Sequence, residues 1–282
     1  MNLLVVGALH WDVVVRAPQL PKLDETLRGR DVSYQLGGKG GNQAIAAIKA
    51  GAQVGFAGRI GADQAGTAIR TLLMKAGVDL AQLQQGTGAS GMSVAIVTEN
   101  GEYGAVIVSA ENHDYDPLVL ELPAECAMVL LQNEMRPDIL RTCAAAAHKR
   151  GAQVVWNAAP AKDISPSDLA LVDTLIINRI EAADILGHDD IGSDPASAVV
   201  LLAELAPKAE VILTLGGDGV VFTAPGQFCE IQPAQPVKVI STHGAGDVFV
   251  GTFAASRLRG LSLSKAVTAG QQAAAVHISQ SR

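Results

Sequence analysis

Apolar runs of strand length at positions 3–6, 128–131, 154–156, 175–177 and 211–213 alternate with helix-like segments at 41–50, 64–76, 138–149, 179–186 and 195–205. This alternation is the tightest constraint on the fold. Strands buried on both faces read as unbroken apolar runs, and parallel neighbours need a crossover helix between them. The pattern therefore predicts an α/β chain whose parallel sheet is covered by helices. All five helical segments are amphipathic enough to pack on a sheet, and Gly51, Gly77 and Gly187 stand where left-handed helix ends are expected.

Two regions break the rhythm, 12–35 and 92–108. Neither contains a helix-like stretch, and Asn100-Gly101 sits between two β-rich runs as a hairpin signal. They are expected to pair into a small sheet, spanning about 12–36 and 90–110, that projects from the body and covers a site at the strand ends as a lid. With 49% hydrophobic and 17% charged residues, one principal core over 1–282 is the expected organisation.

The chain carries 21 Lys and Arg against 28 Asp and Glu, a formal charge of −7. That balance excludes a broad basic footprint for nucleic acid and offers no attraction to anionic lipid. The opening apolar run is too short for a signal peptide, and no later one reaches membrane-spanning length. Cys126, Cys143 and Cys229 are odd in number and widely spaced, which argues against a disulfide framework and for a reducing cytoplasm. The histidines lack metal-ligand spacing. The turn after the first strand, Gly7-Ala8-Leu9-His10-Trp11-Asp12, is not the G-x-G-x-x-G of a dinucleotide-binding oxidoreductase.

The strongest local signal is Ser241-Thr242-His243-Gly244-Ala245-Gly246-Asp247, followed by a helix-compatible run at 248–258. Backbone N–H groups of Gly244, Ala245 and Gly246 are expected to be free at that helix start, where the dipole also favours an anion such as phosphate. Asp247, in the first turn, can accept a proton from an attacking hydroxyl as a phosphoryl group moves. The competing explanation is a tight turn with a carboxylate that merely complements the dipole.

A second constellation, Gly37-Gly38-Lys39-Gly40-Gly41-Asn42, also enters a helix and can meet sugar hydroxyls or phosphate; its glycines alternatively only permit a bend. It is not a Walker A loop, because Gly40 follows Lys39. Glu134 and Glu181 lie just after strands, at the edge that faces the ligand crevice in open α/β sheets. Asn178 and Glu181 share one helical face and can organise a hydrated Mg²⁺, or form a simple capping box.

Together these segments resemble the ribokinase-like, or PfkB, family of carbohydrate and nucleoside kinases. The resemblance runs in order through Gly7 to Asp12, Gly38-Lys39-Gly40-Gly41-Asn42-Gln43-Ala44, Asn178 to Glu181, Thr214-Leu215-Gly216-Gly217-Asp218-Gly219 and Gly244 to Asp247. It implies a three-layer α/β sandwich with a β-sheet lid, and ATP-dependent phosphorylation of a primary hydroxyl on a small, ribose-like sugar. By resemblance, Asp12, Gly38, Lys39 and Asn42 line the sugar pocket, Glu134 adds a polar contact, and Asp247 is the base. The amides of Gly244, Ala245 and Gly246 would hold the transferring phosphate. Asn178 and Glu181 would lie near Mg²⁺, with Glu181 acting through water, and Thr214, Gly216 and Gly219 would run along the nucleotide. A homodimer through paired lids is implied as well.

Three departures accompany the resemblance. His10 stands where ribokinase itself usually has asparagine, which keeps nucleosides open as acceptors. Ser241 replaces an aspartate that helps hold a monovalent cation, and a neutral hydroxyl is the weaker ligand, so potassium activation is left open. The chain stops at Arg282, soon after a helix-like segment at 264–278, whereas relatives continue beside the nucleotide site, so altered adenine recognition or a shortened C-terminus is expected. The competing functional class is a non-catalytic sugar or nucleotide sensor that keeps the pocket without turnover.

Overall fold

The computed structural model describes residues 1–100 and 102–280. The first half of the chain contains β1 (Leu3–Val6), β2 (His10–Ala17), β3 (Asp31–Gly37), α1 (Lys39–Lys49), β4 (Val54–Gly61), α2 (Gln64–Ala76), β5 (Asp79–Gly86), β6 (Met92–Thr98) and β7 (Tyr103–Val108). It continues through β8 (Met128–Gln132), α3 (Pro137–Lys149), β9 (Gln153–Asn157), α4 (Pro166–Leu169), β10 (Thr174–Asn178), α5 (Arg179–Leu186) and α6 (Pro195–Leu205). The last elements are β11 (Glu210–Thr214), β12 (Val220–Thr223), β13 (Glu230–Gln232), α7 (Ala245–Leu258) and α8 (Leu263–Ile278). Every strand and helix read from the periodicity is present, several with the same boundaries.

The large sheet runs β13-β12-β11-β10-β9-β8-β1-β4-β5. It is parallel from β11 to β5 and ends in the antiparallel pair β12 and β13. Successive side chains of a strand point to opposite faces, and here they divide cleanly. Leu3 and Val5 pack with Ala44, Ile69, Phe249, Phe253 and Val267 from α1, α2, α7 and α8. Leu4 and Val6 pack with Ile139, Cys143, Ala182 and Leu202 from α3, α5 and α6. The result is three layers, and the unbroken apolar strands exist because both faces of the sheet are covered.

β1 pairs with β4 on one side and β8 on the other, so the strand order reverses beside it. A crevice opens beyond the carboxyl ends of parallel strands at such a point. Asn157, Asn178 and Thr214 are the last residues of β9, β10 and β11, and Asn178 lies in register with Thr214.

The two irregular regions form one four-stranded sheet, β3-β2-β6-β7. β2 pairs antiparallel with β3, β6 antiparallel with β7, and β2 parallel with β6. Each region forms an antiparallel pair, and the central pair of β2 with β6 is parallel because both hairpins leave the body in the same direction. Gly101 of the expected hairpin turn lies outside the described residues. Where the sheet joins the body, fully buried Asn112 accepts the Leu9 amide at 2.8 Å and donates to the Leu9 carbonyl at 2.9 Å.

α1 and α7 cross in contact, and Gly251 makes that approach possible. A methyl group there would lie 2.6 Å from the Ala46 side chain and 2.8 Å from the Ala47 amide nitrogen. Gly251→Ala is therefore expected to overpack the crossing and destabilise the fold by about 1–3 kcal/mol. An unchanged melting temperature would show that the two helices separate freely.

Candidate active site

The site is assembled where the small sheet meets the helix starts of α1 and α7. On β2, His10 and Asp12 share one face, directed at the body, with Asp12 opposite Gln35 and Ser93. Gly37 leaves room there, since any side chain at that position would run into the Asp12 carboxylate. Gly38 follows with φ of 84°, a left-handed conformation that favours glycine, and turns the chain into α1. The first amide of α1, from Lys39, donates to Glu134 Oε2 at 2.7 Å, so Glu134 caps the helix from the end of β8.

Asp247 is buried in the first turn of α7. Its two oxygens are held separately: Asn42 Nδ2 donates to Oδ2 at 3.2 Å, and Gln43 Nε2 to Oδ1 at 3.0 Å. On one side Asp247 faces a groove of about 770 Å³ that includes Gln35, Asn42 and His243. On the other it closes a cavity of about 130 Å³ with Lys39, Asn178, Glu181, Thr214, Gly244, Ala245 and Gly246. Asp247 thus stands between the open groove and the small cavity at the turn expected to hold an anion.

Asp12 and Glu134 add acidic groups beside this centre, outside the lining of the groove. Burial pushes the Glu134 carboxyl up to about 7, with Asp247 and Asp12 adding to the rise and the Lys39 ammonium and amide opposing it. Burial also pushes Asp12 up to about 6, and its Oδ1 has no hydrogen-bond partner among the described residues. Carboxylates with unused acceptor capacity suit a ligand rich in hydroxyl donors. His10 is driven down to about 4 by burial and by neighbouring His113, so its ring is neutral, and its Nε2 is buried without a partner. With Glu134 it borders a separate cavity of about 360 Å³ that also includes Asn133 and Trp156.

The anion side differs in two respects from expectation. Ala245 donates its amide to the Thr242 carbonyl at 3.2 Å, so the three free amides expected at this turn reduce to those of Gly244 and Gly246. That bond tightens the entry to α7, whose N-cap Gly244 supplies no side-chain cap. The second difference concerns Lys39, which lines the small cavity with Glu181 and Thr214 and so stands on the anion side. Asn178 accepts the amides of Ile180 and Glu181, and Glu181 Oε2 accepts the Asn178 amide at 2.7 Å; the capping box is real. Both residues nevertheless border the anion cavity, and burial raises the Glu181 carboxyl. Gly216 and Gly219 form the tight turn before β12 and border none of these three cavities.

Residues 1–282 match the family of pfkB carbohydrate kinases. The chain belongs to the pfkB family. It is 32% identical to a ribokinase of Haemophilus influenzae over 99% of this chain and 92% of that protein. A Thermotoga maritima ribokinase structure superposes with a TM-score of 0.89 at 26% identity, covering 99% of this chain and 93% of that one. An Arabidopsis thaliana ribokinase, solved with ribose and ATP, gives 0.92 at 27% identity, covering 100% and 93%. This pfkB kinase therefore has the ribokinase-like α/β fold and is by family a phosphotransferase.

Reading the sequence missed Gln43 and Asn157 as site residues. Gln43 stands inside the quoted glycine motif, but its partners are 204 and 114 residues away, so no spacing rule reaches them. The raised Asp12 carboxyl has a testable consequence in this pfkB kinase. The native state binds that proton more tightly than the unfolded chain, whose carboxyl titrates near 3.8, so the charge destabilises the fold above pH about 6 and the penalty fades towards 3.8. Asp12→Asn is expected to raise the melting temperature at about pH 8 and to lose that gain by about pH 4. A gain independent of pH would mean that charge burial is not its source.

Proposed function

We propose that this kinase transfers the γ-phosphoryl group of ATP to a primary hydroxyl of a ribose-like sugar, in line and without a covalent enzyme intermediate. The observation that carries the proposal is the placement of Asp247, which borders both the open groove and the small cavity at the start of α7 and acts through space on the acidic Glu134. The ribose, ATP and ADP complexes of ribokinases with the same fold support both substrates.

In this reading Asp12 and Asn42 grip hydroxyls, with Glu134 as a further polar contact and Gly38 shaping the turn. Asp247 takes the proton of the hydroxyl that attacks phosphorus, while the bond from phosphorus to the β-phosphate oxygen breaks and its electron pair leaves with ADP. Charge on the moving group is met by the Gly244 and Gly246 amides, the α7 dipole and Lys39. Thr214 and Asn178 border the same space and would face the nucleotide, with Gly216 and Gly219 shaping the adjoining turn.

The residues fit Mg²⁺ as an ion carried in by phosphates. Among the described residues no cluster of three or more His, Cys, Asp or Glu could cage a metal, whereas Glu181 keeps one carboxylate oxygen outside its capping box and beside the anion cavity. Glu181 would hold such a hydrated ion through water. The ion would neutralise phosphate charge when bound.

A second acceptor class, nucleosides, is favoured by the cavity beyond His10, which has apolar walls at Met135, Trp156 and Ile164. Release of ADP with ribose, other pentoses and nucleosides separates the two classes. Asp247→Asn is expected to lower turnover by roughly 10²-fold or more while ATP binding persists; near-normal turnover would remove Asp247 as base.

The small sheet serves, in this reading, as the lid of a homodimer. Its outer face aligns Val13, Val15, Val32, Tyr34, Val94, Val106 and Val108, an apolar surface suited to the same surface of a second copy. Tyr34 is 59% and Val106 68% exposed. Tyr34→Asp combined with Val106→Asp is expected to give monomers in sedimentation velocity. Parental sedimentation by the double variant would place any interface elsewhere. The free thiols Cys126, Cys143 and Cys229 fit a reducing compartment, and the cytoplasm is the proposed location. Among the described residues no helix is long and apolar enough to cross a membrane.

A further inference from the structure

Gln43 lies on α1 one residue beyond the acceptor-side Asn42 and is completely buried. Its Nε2 donates to Asp247 Oδ1 at 3.0 Å and to Asn157 Oδ1 at 2.9 Å, while Asn157 Nδ2 donates to the Ile176 carbonyl at 3.0 Å. Its own Oε1 is buried and has no partner among the described residues. The orientation of the amide is forced by these partners. Exchanging its oxygen and nitrogen would set Oε1 against two acceptor oxygens, those of Asn157 and ionised Asp247. An apolar side chain of the same length would fill this space but leave Asp247 Oδ1 and Asn157 Oδ1 without the donor that Gln43 supplies.

We infer that Gln43 is a positioning residue that decides which oxygen of Asp247 receives the substrate proton. This rests on Asp247 acting as base. An ionised carboxylate accepts hydrogen bonds at both oxygens, but after proton transfer one oxygen must become a donor. At Oδ1 a new O–H would meet the fixed N–H of Gln43, whose other hydrogen is committed to Asn157. At Oδ2 the 3.2 Å contact from Asn42 is longer, and Asn42 borders the open groove, so its amide can turn aside. The proton leaves the acceptor hydroxyl for Oδ2, the new oxygen–hydrogen bond forms there, and Oδ1 keeps the Gln43 hydrogen bond throughout. Asp247 is thereby held in one rotamer from the α1 side. The Glu134 carboxyl after β8 feels the charges of Asp247, of Asp12 on β2 and of Lys39 on α1, and none of Glu134, Asp12 and Lys39 makes this contact.

Gln43→Met keeps the length of the side chain and removes both N–H donors. The folded variant is expected to lose roughly 10-fold or more in kcat, as misplacement of a reacting group does, with KM for ribose within about twofold of the parent. In an Asp247→Asn background the same substitution is expected to add no further loss, because the two residues act as one unit. Parental kcat, a raised KM with unchanged kcat, or a full additional loss in that background would each overturn the inference. Should Gln43→Met fail to fold, Gln43→Glu replaces it. Its carboxyl can donate to Oδ1 only when protonated, so the ratio of variant to parent kcat is expected to rise as pH falls from about 8 to about 6. A flat ratio would overturn the inference, since a purely structural defect has no reason to reverse with protonation. Asp247→Asn alone keeps the two ideas apart. If it retains turnover, the base assignment fails and this inference with it; if it is inactive while Gln43→Met is fully active, this inference alone fails.

Discussion

A buried carboxylate at the start of α7 is stable there because α1 brings two amide donors to it. Asn42 and Gln43 are consecutive, yet each reaches a different oxygen of Asp247, and this requires α1 and α7 to cross at nearly backbone contact. Gly251 on α7, facing Ala46 and Ala47 on α1, permits that approach. Apolar packing between the two helices therefore sets the geometry of the polar centre, and the core and the chemistry cannot be adjusted independently.

The surrounding charges follow a similar economy. Glu134 caps α1 through the Lys39 amide and also contributes an acidic wall, while Glu181 closes the capping box of α5 and also borders the anion cavity. Helix starts supply donors that need acceptors, and strand ends supply the carboxylates. Once a parallel sheet points its carboxyl ends at one crevice, these two demands place acidic groups and open amides side by side. Asp12 is the exception: among the described residues no donor reaches its Oδ1, and burial raises its carboxyl, so its charge costs stability above pH about 6.

Much of the architecture was legible from periodicity, because strands covered on both faces leave an apolar signature that survives without any alignment. β4 escaped because Gly55, Gly58 and Gly61 interrupt it, and the reason is packing: a side chain at Gly58 would strike the Gly7 carbonyl at 2.7 Å. α4 and β13 are too short to carry a period, and β12 hides behind the glycine turn that precedes it. At the site, Asp247, Asn42 and Glu134 could be read from residue type and local context. The Ala245 amide and the two partners of Gln43 could not, since the first depends on how the turn closes and the second on contacts across much of the chain.

The small sheet has two faces, one with Asp12, Gln35 and Ser93 and the other with Val13, Tyr34, Val94 and Val106, and both are set by one register between β2 and β6, with Asp12 beside Ser93 and Val13 beside Val94. Because side chains alternate with a period of two, a slip of a single residue would exchange the two faces, turning Asp12 outwards and taking Trp11 off the core against which it packs. The placement of Asp12 and the exposed apolar surface are therefore two readings of one alignment. Insertions or deletions within these strands should abolish both at once, whereas changes confined to the connecting loop at 18–30 leave the alignment intact.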